Sequence, residues 1–181
     1  MYPEGYLGSL SYIVLGAVII LVVSPIIHEL SHVLLVNIFG ISHITHINYT
    51  VNGIFGHIDL FSSVTRAQAA LILLSGTIIT VIIGVVSLAA AKLINHTHLK
   101  SLLHVQALGF MFDPAFQTLT KGDVYTTLAM FKMNSTTPLI SVVLMILFIY
   151  TLFKTVEHIQ STTKERKKTE QPQLGTLSTL I

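Results

Sequence analysis

The chain of 181 residues has no cysteine and no tryptophan, and only 10% of it is charged. Without cysteine there is no disulfide, no thiolate nucleophile and no sulfur ligand for a metal. Any metal site must be built from His, Asp or Glu. The scarcity of charge excludes an ordinary soluble domain, in which about 25% of residues are charged. With a formal net charge of only +2, no nucleic-acid partner is expected. The N-terminus lacks the basic start and small-residue cleavage site of a secretory signal peptide, so the first apolar stretch is expected to be kept as a membrane span. What is abundant is apolar: 52% of residues are hydrophobic, and mean hydropathy is +0.76. These values describe an integral, multi-pass membrane protein one domain long, with the lipid bilayer as its first partner.

Inside this apolar background, residues 28–32 read His-Glu-Leu-Ser-His. On a helix, positions i and i+4 share a face, so His28 and His32 can reach one metal ion. Glu29 lies beside them, placed to act on a water as a base rather than to bind the metal. A chance HExxH is expected roughly once in a hundred chains of this composition. The setting adds weight, because Leu10–Ile27 carries no charge. Ionisable side chains within a membrane are costly, and three together mark a functional site.

Four apolar segments predict an all-α membrane fold of about four transmembrane helices. The first runs from about Tyr6 to Phe39. A helix of that length would reach roughly 50 Å against a hydrocarbon core of about 30 Å, so it must tilt, kink or protrude. Ser24-Pro25 is the expected kink, since Pro25 cannot donate to the Leu21 carbonyl. The others are Ala67–Ala91, Leu99–Leu119 and Pro138–Phe153. The third of the four is the weakest, holding His104, Gln106 and Asp113-Pro114. Between the first and second spans, Ile47, Tyr49 and Val51 alternate with His46, Asn48 and Thr50 ahead of Asn52-Gly53. That pattern predicts one small β-hairpin at the membrane surface. Residues 1–153 are read as the membrane domain and 154–181 as a polar, basic, disordered tail. Four spans place both termini on one side. Lys92, Lys100, Lys154, Lys164, Arg166, Lys167 and Lys168 then oppose Arg66, Lys121 and Lys132, which predicts cytoplasmic termini.

Two histidines make an incomplete catalytic zinc site, because three protein ligands and one open position are usual. Asp123 and Asp113 are the candidates for the third ligand. Asp123 follows a glycine at the start of a short helical segment, where its alternative role is an N-cap. Asp113 stands before Pro114, where its alternative is an Asp-Pro turn. His43, His46, His57, His96, His98 and His158 fall in loops, the hairpin or the tail and read as ordinary polar residues. His104 lies in a span without a motif. Gly76, Thr80 and Gly84 form a small-xxx-small stripe that lets helices approach closely.

In these residues the chain resembles the site-2 protease family of membrane-embedded zinc metallopeptidases. The resemblance covers roughly residues 10–153. It rests on the HExxH within a membrane helix, the hairpin after it, and a span containing Leu74-Ser75-Gly76-Thr77. It also rests on the stretch Gly122-Asp123-Val124-Tyr125-Thr126-Thr127-Leu128-Ala129 with Pro138 beyond. The latter is similar to the Asp-containing segment of a compact branch without PDZ or CBS modules. Two departures stand out: Gly precedes Asp123 where the better-known motif is Leu-Asp-Gly, and Thr77 stands where Pro is usual.

The resemblance implies one Zn2+ per chain held by His28, His32 and Asp123, with Glu29 as the catalytic base. It implies hydrolysis of peptide bonds in a transmembrane protein or peptide substrate. The competing readings are a non-catalytic metal or haem protein, with His28 and His104 as axial ligands, and an inactive protease-like scaffold. The sequence sets no oligomeric state.

Overall fold

A first apolar stretch too long for one straight span has to change course, and Pro25 decides where. In the computed structural model, which describes residues 4–50, 53–60, 63–120 and 122–170, α1 (Glu4–Val18) passes through a π-helical turn (Ile19–Val23) into α2 (Ser24–Ile38). Proline has no N–H to give to the carbonyl four residues back, so the bonding pattern changes just ahead of it. The Ser24 N–H donates instead to the Ile19 carbonyl, five residues back. The irregularity expected at Ser24-Pro25 is thus a π turn immediately before it.

After α2, Gly40 takes a positive φ of 64° and turns the chain into two strands. β1 (His43–Thr50) and β2 (Gly53–Leu60) pair antiparallel, from His43 opposite Leu60 to Thr50 opposite Gly53. The connecting residues 51–52, including Asn52 of the Asn-Gly pair, lie outside the described residues. α3 (Arg66–Leu93) opens on a capping box. The Thr65 hydroxyl accepts from the Gln68 N–H at 3.3 Å, and the Gln68 side chain accepts from the Thr65 N–H at 3.0 Å. Then come α4 (Thr97–Leu119), α5 (Asp123–Met130), a 3-10 turn (Asn134–Thr136) and α6 (Thr137–Glu170).

Among the described residues, three helical segments are long and apolar enough to cross a membrane: Ser11–Ile38, Arg66–Leu93 and Thr137–Thr162. Where about four spans were expected, α4 is the one outside this group. It is 23 residues long, but Lys100, His104, Gln106 and Asp113 dilute its apolar character. It is also the hub, packing against α3, α6 and α1. The helix continues through Pro114 to Leu119 rather than breaking at Asp113-Pro114. Pro114 is fully buried, and tertiary packing there outweighs one missing backbone bond.

The expected boundary at 153/154 is not a structural one, since α6 runs on to Glu170. Gln, Lys, Glu and Arg are good helix formers, and Lys154 bonds Glu157 one turn on at 2.7 Å. Residues 171–181 lie outside the described residues.

The distribution of polarity is inverted relative to a soluble bundle. Ile13, Leu21, Ile82, Leu139, Ile146 and Phe153 face outward, while Ser24, Thr77, Thr80, Ser87, Thr151 and Thr155 are buried. In lipid there is no gain in hiding leucine, so small and hydroxyl-bearing residues take the helix–helix contacts. Most of these hydroxyls find their own backbone: Thr80 donates to the Gly76 carbonyl at 2.9 Å and Ser87 to that of Ile83 at 2.7 Å. The π turn packs through buried Ile19 against Val105 and Phe110 of α4. This approach needs Gly109, where an added Cβ would run into Ile19. Gly109→Ala should therefore lower stability by about 1–3 kcal/mol through overpacking, outweighing the helix-propensity gain. Thermal unfolding in detergent checks this, and Ile19→Ala in the same chain should recover part of the loss.

Candidate metal centre

His28 lies on the second turn of α2 and His32 one turn further, so their rings stack along one face. Their centroids are 4.8 Å apart, edge to face. Both are buried, His28 almost completely at 1% exposure. At 1.5 Å per residue, His28 sits about 15 Å along the helix from Ile38, the end of its span.

Three other elements close on the pair. α5 brings Asp123, its first residue, whose Oδ2 lies 2.7 Å from His28 Nε2 and 3.2 Å from His32 Nε2. α4 brings Asp113, whose Oδ2 stands 2.8 Å from His28 Nδ1. That contact is close but poorly angled, for neither atom has a well-formed hydrogen bond. α3 brings the Ile72 carbonyl 2.6 Å from His32 Nδ1, with Ser75 Oγ at 3.2 Å from the same nitrogen. Gly76 makes room: a Cβ there would stand 2.5 Å from His28 Nε2. Gly122 does the same ahead of α5, where its N–H donates to the Gln117 carbonyl at 2.8 Å and a Cβ would strike Gln117.

The hydrogen count shows what the cluster lacks. A carbonyl only accepts, so His32 Nδ1 must carry its hydrogen toward Ile72. A neutral His32 then turns the lone pair of Nε2 toward a carboxylate oxygen. His28 has a carboxylate at each ring nitrogen, and a neutral ring carries one N–H. The arrangement is balanced only by added positive charge, either protons on a ring or a carboxyl or a cation among the three converging atoms. Burial alone would push the Asp123 carboxyl up. The bonds to His28 and His32 outweigh it and hold the group well below the usual carboxylate range.

A metal ion fits this donor set. His28, His32 and Asp123 each offer one ligand atom, all within 4.8 Å of one another. The two measured separations, 2.7 and 3.2 Å, approach the roughly 3.3 Å between ligand atoms around a tetrahedral zinc with bonds of about 2.0–2.1 Å. His/His/carboxylate is a zinc-type set that leaves a position open. The Ile72 carbonyl holds the far nitrogen of His32, as partners that orient ligand imidazoles do, and Asp113 stands beside that of His28.

The structure thus brings His28, His32 and Asp123 together and sets Asp113 behind His28. Glu29 follows His28 on α2 and is half-buried. His104 stays apart: its Nδ1 lies 2.8 Å from the Lys100 carbonyl and its ring stacks on His158 at 4.6 Å. Down the axis of α4 it is about 14 Å from Asp113. His96 caps α4, His98 meets the Tyr12 hydroxyl at 3.0 Å, and His43 meets the Ile41 carbonyl at 3.0 Å. The side chains of His46 and His57 lie outside the described residues. Sequence reasoning missed the Ile72 carbonyl, which no side-chain pattern can show. It read Gly76 as a packing residue, although Ser75-Gly76-Thr77 had marked the place. No family model, curated protein or solved structure matches this chain.

Two expectations follow from this arrangement. In a metal titration, Asp123→Ala should cost more affinity than Asp113→Ala, because the first removes a ligand and the second an orienting contact worth about 10–100-fold. The reverse order would exchange the two roles. Gly76→Ala should weaken metal binding by about 10-fold or more, since its methyl invades the ring of His28. Circular dichroism of the same sample should show helix content retained, and unchanged affinity would mean that His28 is not a ligand.

Proposed function

We propose that this protein is a zinc-dependent intramembrane endopeptidase, of the kind its resemblance to the site-2 proteases implies. It would cut a membrane-spanning protein or peptide. The observation that carries the reading is the convergence of both imidazole Nε2 atoms and the Asp123 carboxylate on one point within a buried HExxH helix. Bound there, zinc would bring the pKa of a water to about 7 and polarise the scissile carbonyl. Glu29, next to His28 on α2, would serve as the base that takes a proton from that water and returns it to the leaving amine. Asp113 and the Ile72 carbonyl keep the two rings aimed. Asp123 balances charge as well as binding.

Hydrolysis at this depth needs water. The buried hydroxyls of Ser24 and Thr77 have no hydrogen-bond partner among the described residues, and such groups hold ordered water. A substrate helix must also unwind to present a peptide bond. The β1–β2 ribbon has an outer edge on each strand to which an unwound segment can add. For topology we propose four crossings, with α4 as the third and both termini cytoplasmic. A purely metal-binding role would explain the ligands and leave Glu29 idle.

The test is Glu29→Gln in pure protein with a reconstituted transmembrane substrate. Zinc content should match wild type while cleavage falls by about 10²-fold or more. Cleavage by the variant within about tenfold of wild type would sink this mechanism. Loss of zinc together with activity would instead place Glu29 among the ligands.

A further inference from the structure

Away from the metal centre, one face of each of three helices carries an apolar stripe ending in lysine. On α3 it is Val85, Leu88, Ala89 and Lys92. On α6 it is Leu147, Tyr150, Thr151 and Lys154. Both have the i, i+3, i+4, i+7 spacing of a single helical face. On α4 the order is reversed, with Lys100 first, then His104 and Met111. These three stripes line one cavity of about 560 Å³. α4 floors it, packing against both α3 and α6.

Because α4 runs back after a three-residue turn at 94–96, the three lysines gather at one end and the apolar residues at the other. The lining holds no carboxylate. Glu157 offsets Lys154 from outside it, at 2.7 Å. Lys92 stands in the last turn of α3, at the edge of a span, where a lysine stem lies in lipid and its ammonium reaches the surface. His104 is buried in the floor with Nδ1 at the Lys100 carbonyl, leaving Nε2 as the ring atom able to serve a ligand.

We infer that this cleft binds an anionic phospholipid, its phosphate among Lys92, Lys100 and Lys154 and an acyl chain along the apolar stripes. Basic pockets between membrane helices at a membrane surface suit acidic headgroups. The shape favours a chain over a helix. A helix about 10–12 Å across fills 560 Å³ with roughly one turn. The site is independent of the metal centre: from Gly76 to Lys92 along α3 is about 24 Å.

The experiment titrates full-length protein in non-ionic detergent with dioleoyl phosphatidylglycerol or dioleoyl phosphatidylcholine and counts bound lipid by native mass spectrometry. One phosphatidylglycerol should bind at least about 10-fold more tightly than phosphatidylcholine. Lys92→Gln with Lys100→Gln should weaken it about 30-fold. Arg66→Gln with Lys132→Gln, removing the same charge elsewhere, should leave it unchanged. Glycerol 1-phosphate should not compete, because the acyl chain supplies part of the affinity. Equal binding of the two lipids, or equal loss in both double variants, overturns the inference. So does competition by the soluble phosphate, or displacement of the lipid by an acidic transmembrane peptide. If the glutamine pair does not fold, the same comparison is made with the Lys154→Gln single variant and with arginine at 92 and 100. The first must lose the lipid and the second must keep it.

Discussion

Two buried imidazoles and the two carboxylates against them, Asp113 buried and Asp123 partly exposed, cannot satisfy each other with the hydrogens that neutral rings carry. His28 faces oxygen at both nitrogens, and His32 has spent its one N–H on a backbone carbonyl. Positive charge must enter this cluster for the bundle to close around it. Four helices contribute to meeting that condition: α2 the rings, α3 the carbonyl and the gap at Gly76, α4 Asp113, and α5 Asp123. An uncompensated carboxylate at this depth would be among the costliest groups in the protein. The same demand explains why α4, whose apolar run is interrupted by Lys100, His104, Gln106 and Asp113, is the most enclosed of the long helices. Its aspartate belongs in the middle, and the helix is drawn inward with it.

Around that centre the helices are joined by small and hydroxyl-bearing residues, with bulk turned outward. Gly76, Gly84 and Gly109 each meet a larger side chain of a neighbour: His28, Met111 and Ile19. Close approach at these three points sets the spacing of α3 on α2 and of α4 on α3 and on the π turn. Most of the buried threonines and serines return their hydrogen to their own helix, and only a few, such as Ser75 and Ser101, also meet a neighbouring one. Cohesion therefore rests on shape and dispersion contacts more than on polar ties.

How much of this could be read from the chain varies by feature, and the reasons are physical. HExxH was legible because its chemistry is local: i and i+4 lie on one face whatever the fold. The three strongly apolar spans were legible from length and hydropathy alone. Asp123 could be named but not separated from Asp113 by its residue type. Only the convergence of α4 and α5 puts one carboxylate at Nε2 and the other at Nδ1. Pro114 suggested a break that burial overrides. The end of the apolar run at 153 suggested a disordered tail, yet helix formation continues for polar residues of high propensity. The Ile72 carbonyl left no trace in the sequence, since every residue has one. The lysine-ended stripes were legible singly, as helical spacings, while their meeting in one cleft depends on how α3, α4 and α6 assemble.

The π turn at Ile19–Val23 has a consequence for how the long first segment shares its work. An extra residue in one turn advances the angular phase of everything after it relative to everything before. Leu15 ahead of the turn, Ile19 at its first residue and Ile27 just past it join one cluster with Val105 and Phe110 of α4, and further along Val36 packs on Ile72 of α3. One continuous rod would offer both neighbours the same azimuth. The phase step lets one long segment serve both, and because Asp113 of α4 reaches His28 beyond the turn, the seam with α4 and the aim of the histidine ring are set together.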